Sequence, residues 1–131
     1  IKEGPAPYET ARRFIGCPYL YGGRCADGID CSALIQLTHA RKGIKLPRDS
    51  GPQREYEKGV TVELGADDLD IRPLSTGDVV FFPGHVGIMG SDETIIHAFS
   101  DAMMVREDPV AEIAQFYKDT QGAGITAIRR F

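Results

Sequence analysis

The sequence has 131 residues, 42% of them hydrophobic, and a formal net charge of -4 at pH 7. This length is enough for one hydrophobic core, so we expect a single domain over residues 1–131, which could be excised from a longer chain. The mild negative charge argues against nucleic acid as a partner. No apolar stretch approaches the roughly 20 residues that span a bilayer.

Three helices are predicted before residue 60. The first covers residues 7–15, with its apolar side toward the core, and ends at Gly16. That apolar side consists of Tyr8, Ala11, Phe14 and Ile15. The second begins at Cys31 and stops at Gly43. Its apolar positions recur at helical spacing and are Ala33, Leu34, Leu37 and Ala40.

A third helix is predicted to start at Ser50, where Ser50 and Gln53 resemble a capping box, and to end at Gly59. Residues 60–76 are predicted to be loop, and from there the hydrophobic pattern alternates as in strands. The predicted strands are 78–82, 85–89, 94–99, 103–107 and 125–130, with a helix at 109–120 before the last. Helices followed by an antiparallel sheet predict an α+β fold, with the early helices packed on one face of the sheet.

Cys31 is predicted to lie at the N-terminus of the second helix, with Asp30 as its N-cap. Unpaired backbone amides and the positive end of the helix dipole favour a thiolate there, so we expect a pKa below the ordinary value of about 8.5. The alternative is a buried, inert core cysteine. A polar, glycine-rich approach at Gly22, Gly23 and Gly28 favours the reactive interpretation.

The cysteines Cys17, Cys25 and Cys31 are an odd number at spacings that match no common zinc motif. We therefore expect at least one free thiol and neither a full disulfide framework nor a metal site. A bridge between Cys17 and Cys25 is an alternative to two reduced side chains.

The histidines differ in their relation to Cys31. His39 lies on the same helix, about 12 Å along its axis, and is interpreted as a surface or internally satisfied histidine. His85 and His97 share a sheet face only if paired residue numbers add to an even value, and a register with His97 opposite Gly87 sets them diagonally within reach. Each alone is typical of a strand or turn histidine bonded to backbone, but with Cys31 they could supply a nucleophile, a base and an orienting group.

Six segments in order resemble the NlpC/P60 family of papain-like cell-wall peptidases, from about residue 9 to the end of the chain. They are Pro18-Tyr-Leu-Tyr-Gly-Gly-Arg24, Gly28-Ile-Asp-Cys-Ser-Ala-Leu34, Leu46-Pro-Arg-Asp-Ser50, Gly77-Asp-Val-Val-Phe-Phe82, Gly84-His-Val-Gly-Ile88 and Ile96-His-Ala98. The resemblance implies a papain-like fold and a cysteine endopeptidase that cuts murein peptides between D-glutamate and diaminopimelate or lysine. Cys31 would be the nucleophile, His85 the base and His97 the orienting residue.

The resemblance also implies a substrate groove. Tyr19 would lie beside the oxyanion, while four further residues would line the end that accepts a free N-terminal L-alanine: Asp30, Ser32, Asp49 and Ser50. A buried ammonium needs a nearby carboxylate, which favours this role for Asp49, although a helix cap is the alternative. Relatives often carry an upstream SH3-like module that contributes to this end of the groove.

The chain departs from the family pattern at two positions. Tyr21 stands where a tryptophan is usual, which we expect to adjust the groove and keep an aromatic wall. Cys25 could resolve an oxidised Cys31 and make the enzyme redox-sensitive. We expect a bacterial monomer without a cofactor, either in the cytoplasm or in the cell envelope or secreted. Alternatives are a papain-like amidase or acyltransferase, and a catalytically silent wall-binding module.

Overall fold

The computed structural model describes residues 6–25 and 28–131, without the side chains of Arg24 and Cys25. The described helices are α1 Pro7–Arg12, α2 Cys31–Ala40, α3 Ser50–Arg54 and α4 Val110–Gln121, with a 3-10 turn at Ser100–Ala102. The strands are β1 Arg24–Cys25, β2 Gly28–Ile29, β3 Val60–Val62, β4 Val79–Phe82, β5 His85–Met89, β6 Thr94–Phe99, β7 Met104–Pro109 and β8 Ala127–Arg130. This helix-plus-sheet layout confirms the predicted α+β fold.

Strands β3 to β8 form one antiparallel sheet in the order β3-β8-β4-β5-β6-β7, and β1 pairs with β2 separately. Four consecutive strands, β4 to β7, are therefore joined as successive hairpins, as predicted. The last strand returns to lie between β3 and β4. This places β5, which begins at His85, in the middle of the sheet.

The two faces of the sheet bury different helices because side chains alternate along each strand. On one face Ala33, Leu34 and Ile35 of α2 pack in a cluster with side chains of α1, β4, β5 and β6. On the other face Ile113 and Ala114 of α4 pack with a second set from β4, β5 and β6. The predicted packing of the early helices on one face is confirmed, and α4 covers the other.

Several local predictions in the N-terminal half are wrong. Helix α1 ends at Arg12, before the turn at Gly16, and Ile15 is 43% exposed instead of buried. Ala40, at the last position of α2, is also exposed. The predicted capping box does not form, because Ser50 is the first helical residue of α3. Gln53 is instead buried, and its amide donates to the carbonyl oxygens of Ser32 and Pro47.

Strand β3 lies inside the region predicted as loop. Its three residues are exposed or half-buried, and they pair with β8 at the edge of the sheet. So short and exposed a strand carries no hydrophobic alternation, so periodicity alone could not find it. None of the helices that the structure describes is long and apolar enough to cross a membrane.

The register of β5 against β6 is the one that the histidine prediction requires. Ile88 pairs with Ile96 and Met89 with Ile95, so paired numbers add to an even value. Continuing this register sets Gly87 opposite His97, and a Cβ at Gly87 would lie 3.0 Å from that of His97. Such a Cβ would also lie 2.7 Å from the side chain of Ile95, so glycine at position 87 leaves the space that Ile95 and His97 occupy.

Candidate active site

Cys31 is the first residue of α2, and its half-buried sulfur is faced by three backbone amides. Asp30 caps the helix as predicted, because its Oδ1 accepts from the Ala33 amide at 2.9 Å. The amides facing the sulfur belong to Cys31, Ser32 and Val86, and the last of these follows His85 directly on β5. The N-terminus of α2 therefore meets the start of β5 at the sulfur.

The predicted low pKa of Cys31 is wrong. Burial raises the pKa of the Cys31 thiol to about 11, the nearby Asp30 charge acts in the same direction, and the three amides oppose them only in part. Desolvation disfavours a charged sulfur more strongly than the helix terminus favours it. The thiol is consequently neutral at neutral pH.

His85 and His97 form a buried pair. Nε2 of His85 lies 2.8 Å from Nδ1 of His97. His85 is 4% exposed and His97 is 0% exposed. Burial lowers the pKa of His85 well below its ordinary value, and His97 lowers it further. Burial also lowers the pKa of His97, although Asp108 partly opposes this. Both rings are therefore neutral at neutral pH.

Two residues that the sequence reasoning missed support this pair. Tyr117 of α4 stacks on the His85 ring with centroids 5.2 Å apart and ring planes 14° from parallel. Asp108 of β7 lies 2.9 Å from Nε2 of His97 through its Oδ2. The predicted strand stopped at residue 107, so Asp108 fell outside it. Side chains alternate between the two faces of a sheet, so extending the predicted strand by one residue could have placed the Asp108 carboxylate on the same face as His97.

The predicted substrate-binding residues meet Cys31 in a pocket of about 520 Å³. The pocket is lined by Tyr19, Tyr21, Gly22, Asp30, Cys31, Ser32, Arg48, Asp49, Ser50 and Gly84. Gly84 immediately precedes His85, so the residues on both sides of His85 border the cysteine or its pocket. Tyr21, at 88% exposed, forms an open wall of this pocket.

Asp30 is already engaged with other groups of the protein. Arg48 binds it through two bonds, Nη1 to Oδ1 at 3.1 Å and Nη2 to Oδ2 at 3.0 Å. Oδ2 also accepts from the Gly22 amide. Burial acts to raise the pKa of Asp30, but Arg48 and the backbone amides outweigh it and lower the pKa. Arg48, not singled out from the sequence, thus neutralises the buried carboxylate of the pocket.

Asp49 differs from Asp30 in having no such partner. It occupies the N-cap position of α3, yet its side chain makes no capping hydrogen bond, contrary to the helix-cap alternative. It is exposed, and no hydrogen bond or ion pair of its side chain appears among the described residues. Arg48 is hydrogen-bonded to Asp30 and also interacts with the Asp49 charge, so the charged side chains that line the pocket leave it with a net negative charge.

The remaining candidates lie elsewhere. His39 is buried, its Nδ1 lies 2.9 Å from the carbonyl oxygen of Ile35, and it is thus an internally satisfied histidine. Cys17 and Cys31 are free thiols. The hypothesis of a redox role concerns the Cys25 side chain, which lies outside the described residues. Within the part of the chain that the structure describes, no group of His, Cys, Asp and Glu residues could hold a metal ion.

Comparisons with known proteins identify the family. The NlpC/P60 family profile matches residues 16–121. Dipeptidyl-peptidase 6 of Lysinibacillus sphaericus is 29% identical over 120 residues, which cover 92% of this chain and 41% of that protein. The gamma-D-glutamyl-L-lysine dipeptidyl-peptidase of Bacillus cereus is 34% identical over 98 residues, 69% of this chain and 27% of that protein.

Solved structures agree with this assignment. An NlpC/P60 family protein from Bacillus cereus superposes with a TM-score of 0.74 at 29% identity, covering 99% of this chain and 41% of that one. The peptidoglycan hydrolase RipB of Mycobacterium tuberculosis gives 0.72 at 25% identity, covering 95% and 62%. The chain thus belongs to the NlpC/P60 family. It spans less than half the length of the two curated relatives above.

Proposed function

We propose that the chain is a cysteine endopeptidase that hydrolyses the bond between γ-D-glutamate and a diamino acid in murein peptides. The observation that carries this proposal is the meeting of Cys31, at the helix terminus, with the start of β5 and its buried His85–His97 pair. Relatives named gamma-D-glutamyl-L-lysine dipeptidyl-peptidase and peptidoglycan hydrolase support the substrate class.

The proposed reaction starts from a neutral thiol and a neutral imidazole. Because the pKa of Cys31 is raised and that of His85 is lowered, the proton passes to His85 as the sulfur attacks the γ-carbonyl carbon, and not beforehand. The carbonyl oxygen becomes an oxyanion, for which the Cys31 amide and the Tyr19 hydroxyl are the proposed donors.

Two steps follow from this tetrahedral intermediate: its collapse to a thioester, and hydrolysis of the thioester. The carbon–nitrogen bond cleaves, His85 returns the proton to the departing amine, and a thioester remains on Cys31. Water attacks this thioester while His85 accepts one of its protons. The carbon–sulfur bond then breaks, His85 returns that proton to the sulfur, and the released D-glutamyl acid loses its remaining proton to solvent. All atoms and protons are accounted for without a cofactor.

Asp49 supports a preference for substrates with a free N-terminal amine. An ammonium group bound in the pocket can reach this exposed carboxylate, which makes no hydrogen bond within the described residues, whereas Arg48 is hydrogen-bonded to Asp30. A charge-assisted hydrogen bond of this kind contributes about 1.5–3 kcal/mol, which is roughly 10-fold to 100-fold in affinity. Asp49 and Ser50 would therefore bind the L-alanine end of the peptide.

The test is hydrolysis of L-Ala-γ-D-Glu-L-Lys and L-Ala-γ-D-Glu-meso-diaminopimelate, each with a free and an acetylated N-terminus, followed by mass spectrometry. We expect the dipeptide L-Ala-D-Glu as product and loss of its formation in Cys31→Ala. Cys17→Ala is the matched control and is expected to stay active, because this second free thiol lies outside the pocket. Cleavage at another bond, or an active Cys31→Ala protein, would contradict the proposal.

A further inference from the structure

A buried carboxylate stands behind the histidine pair. Asp108 is 8% exposed and its two oxygens are separately engaged. Oδ2 lies 2.9 Å from Nε2 of His97, and Oδ1 accepts from Nη2 of Arg106, also at 2.9 Å. In the register of β6 with β7, His97 pairs with Arg106 and Ile95 with Asp108, so the three polar side chains share one face of the sheet.

This arrangement determines where each proton sits. A carboxylate only accepts hydrogen bonds, so Nε2 of His97 must carry the hydrogen. Nδ1 of the neutral His97 ring is then an acceptor, and Nε2 of His85, 2.8 Å away, must donate to it. Nδ1 of His85 is left with a lone pair, which is the form that a base for Cys31 requires.

We propose that Asp108, held by Arg106, is a positioning residue that fixes the tautomers of both histidines. This inference rests on the proposed function, because it takes His85 as the base. If His97 carried its hydrogen on Nδ1, two donors would face each other at the His85–His97 contact. His85 would then have to place its own hydrogen on Nδ1 and would lose the lone pair that accepts the Cys31 proton.

Asp108→Asn imposes this wrong arrangement because of Arg106. The guanidinium of Arg106 only donates, so it holds the amide oxygen of the new side chain and turns the amide NH2 toward His97. Nε2 of His97 must then accept, and the hydrogens of both rings move to Nδ1. We expect kcat to fall about 100-fold to 1,000-fold while KM changes less than about threefold.

Releasing the asparagine should reverse the effect. In the double variant Asp108→Asn with Arg106→Met, the amide is free to rotate and present its oxygen to His97. We expect kcat to recover at least roughly tenfold over Asp108→Asn alone. Glu107→Gln is the matched control on the same strand: it weakens the ion pair with Arg12, and we expect kcat within about twofold of the unmodified protein.

Nitrogen NMR of the imidazoles reads the tautomers directly and does not depend on activity. We expect both rings of the unmodified protein in the Nε2–H form and both rings of Asp108→Asn in the Nδ1–H form. An Nδ1–H form of His97 in the unmodified protein overturns the proposal even if the variant does not fold. So does a variant that keeps kcat, or a double variant with no recovery. An unmodified protein that cuts no γ-D-glutamyl peptide would instead refute the proposed function and leave the tautomer result standing.

Discussion

The inner and outer parts of the site differ in how far their polar groups are bonded within the protein. The inner part consists of Asp30, Cys31, His85, His97 and Asp108, and the outer part of Tyr21, Asp49 and Ser50. Inner charges and rings are buried and have partners on neighbouring strands or loops. The outer carboxylate of Asp49 is exposed and does not cap its own helix. Contacts within the fold thus hold the inner residues in place, whereas we propose that the outer residues bind a ligand.

The largest effect is expected at His85, the inner histidine that we propose as the base. We expect His85→Gln to lower kcat by about 1,000-fold, which corresponds to roughly 4 kcal/mol of the barrier, because the thiol loses its proton acceptor. His39→Gln is the matched control, since His39 is also buried but contacts the Ile35 carbonyl instead of the site. Steady-state hydrolysis of L-Ala-γ-D-Glu-L-Lys measures both. An equal loss of kcat in the two variants would show that replacing any buried histidine has this effect, whether or not it lies in the site.

The second effect is a difference in the free energy of unfolding between variants of Asp30 and Asp49. Asp30→Ala removes the N-cap of α2 and leaves Arg48 without its partner, so we expect a loss of about 2–4 kcal/mol in the free energy of unfolding. Asp49→Ala should change it by less than about 0.5 kcal/mol, because its side chain makes no hydrogen bond or ion pair within the described part of the chain. Urea unfolding monitored by circular dichroism compares them. Similar losses in both variants would remove the distinction between inner and outer carboxylates.

The third effect concerns affinity at the outer part. We expect Asp49→Asn to raise KM for free-amine peptides by roughly 10-fold to 100-fold with little change in kcat, because an ammonium loses its carboxylate. N-acetylated peptides should be affected less than about twofold. Glu57→Gln, another exposed carboxylate, serves as the control. A change in kcat without a change in KM would contradict the assignment of Asp49 to the amine.

The smallest single-residue effect is expected in the dependence of stability on pH. Burial lowers the pKa of His39, His85 and His97 in the folded protein. In the unfolded chain each histidine takes up a proton near its ordinary pKa of about 6.5, whereas in the folded protein it stays neutral to lower pH. Protonation therefore favours the unfolded chain, so full stability is present above that pH and is lost as the pH falls below it. Each such histidine steepens the fall by up to about 1.4 kcal/mol per pH unit.

Urea midpoints between pH 7 and pH 5 test this sign. We expect the midpoint to fall with pH in the unmodified protein and to fall less steeply in His39→Gln, which removes one of the three titrating rings. A midpoint that rises toward pH 5, or an unchanged slope in His39→Gln, would show that these histidines are protonated in the folded protein.

The sequence predicted the inner part better than its surroundings. Asp30 as N-cap, Cys31 as first helical residue and the even register of His85 with His97 follow from local patterns that repeat every two or 3.6 residues. The partners Arg48, Asp108 and Tyr117 come from distant segments, and nothing local shows which strand or loop will lie beside them. The prediction of a low pKa for Cys31 failed for the same reason. Burial raises this pKa, against the effect of the helix terminus, and the extent of burial depends on the whole fold.

The most direct test of the central claim is labelling by a chloromethyl ketone built on L-alanyl-γ-D-glutamate, which places its reactive carbon where the scissile bond would lie. Peptide mapping by mass spectrometry locates the modified residue, and the rate is measured against reagent concentration. We expect saturable modification of Cys31 that is strongly slowed in His85→Gln. Labelling at Cys17 or Cys25, or an unchanged rate in His85→Gln, would contradict a histidine-activated nucleophile at the start of α2.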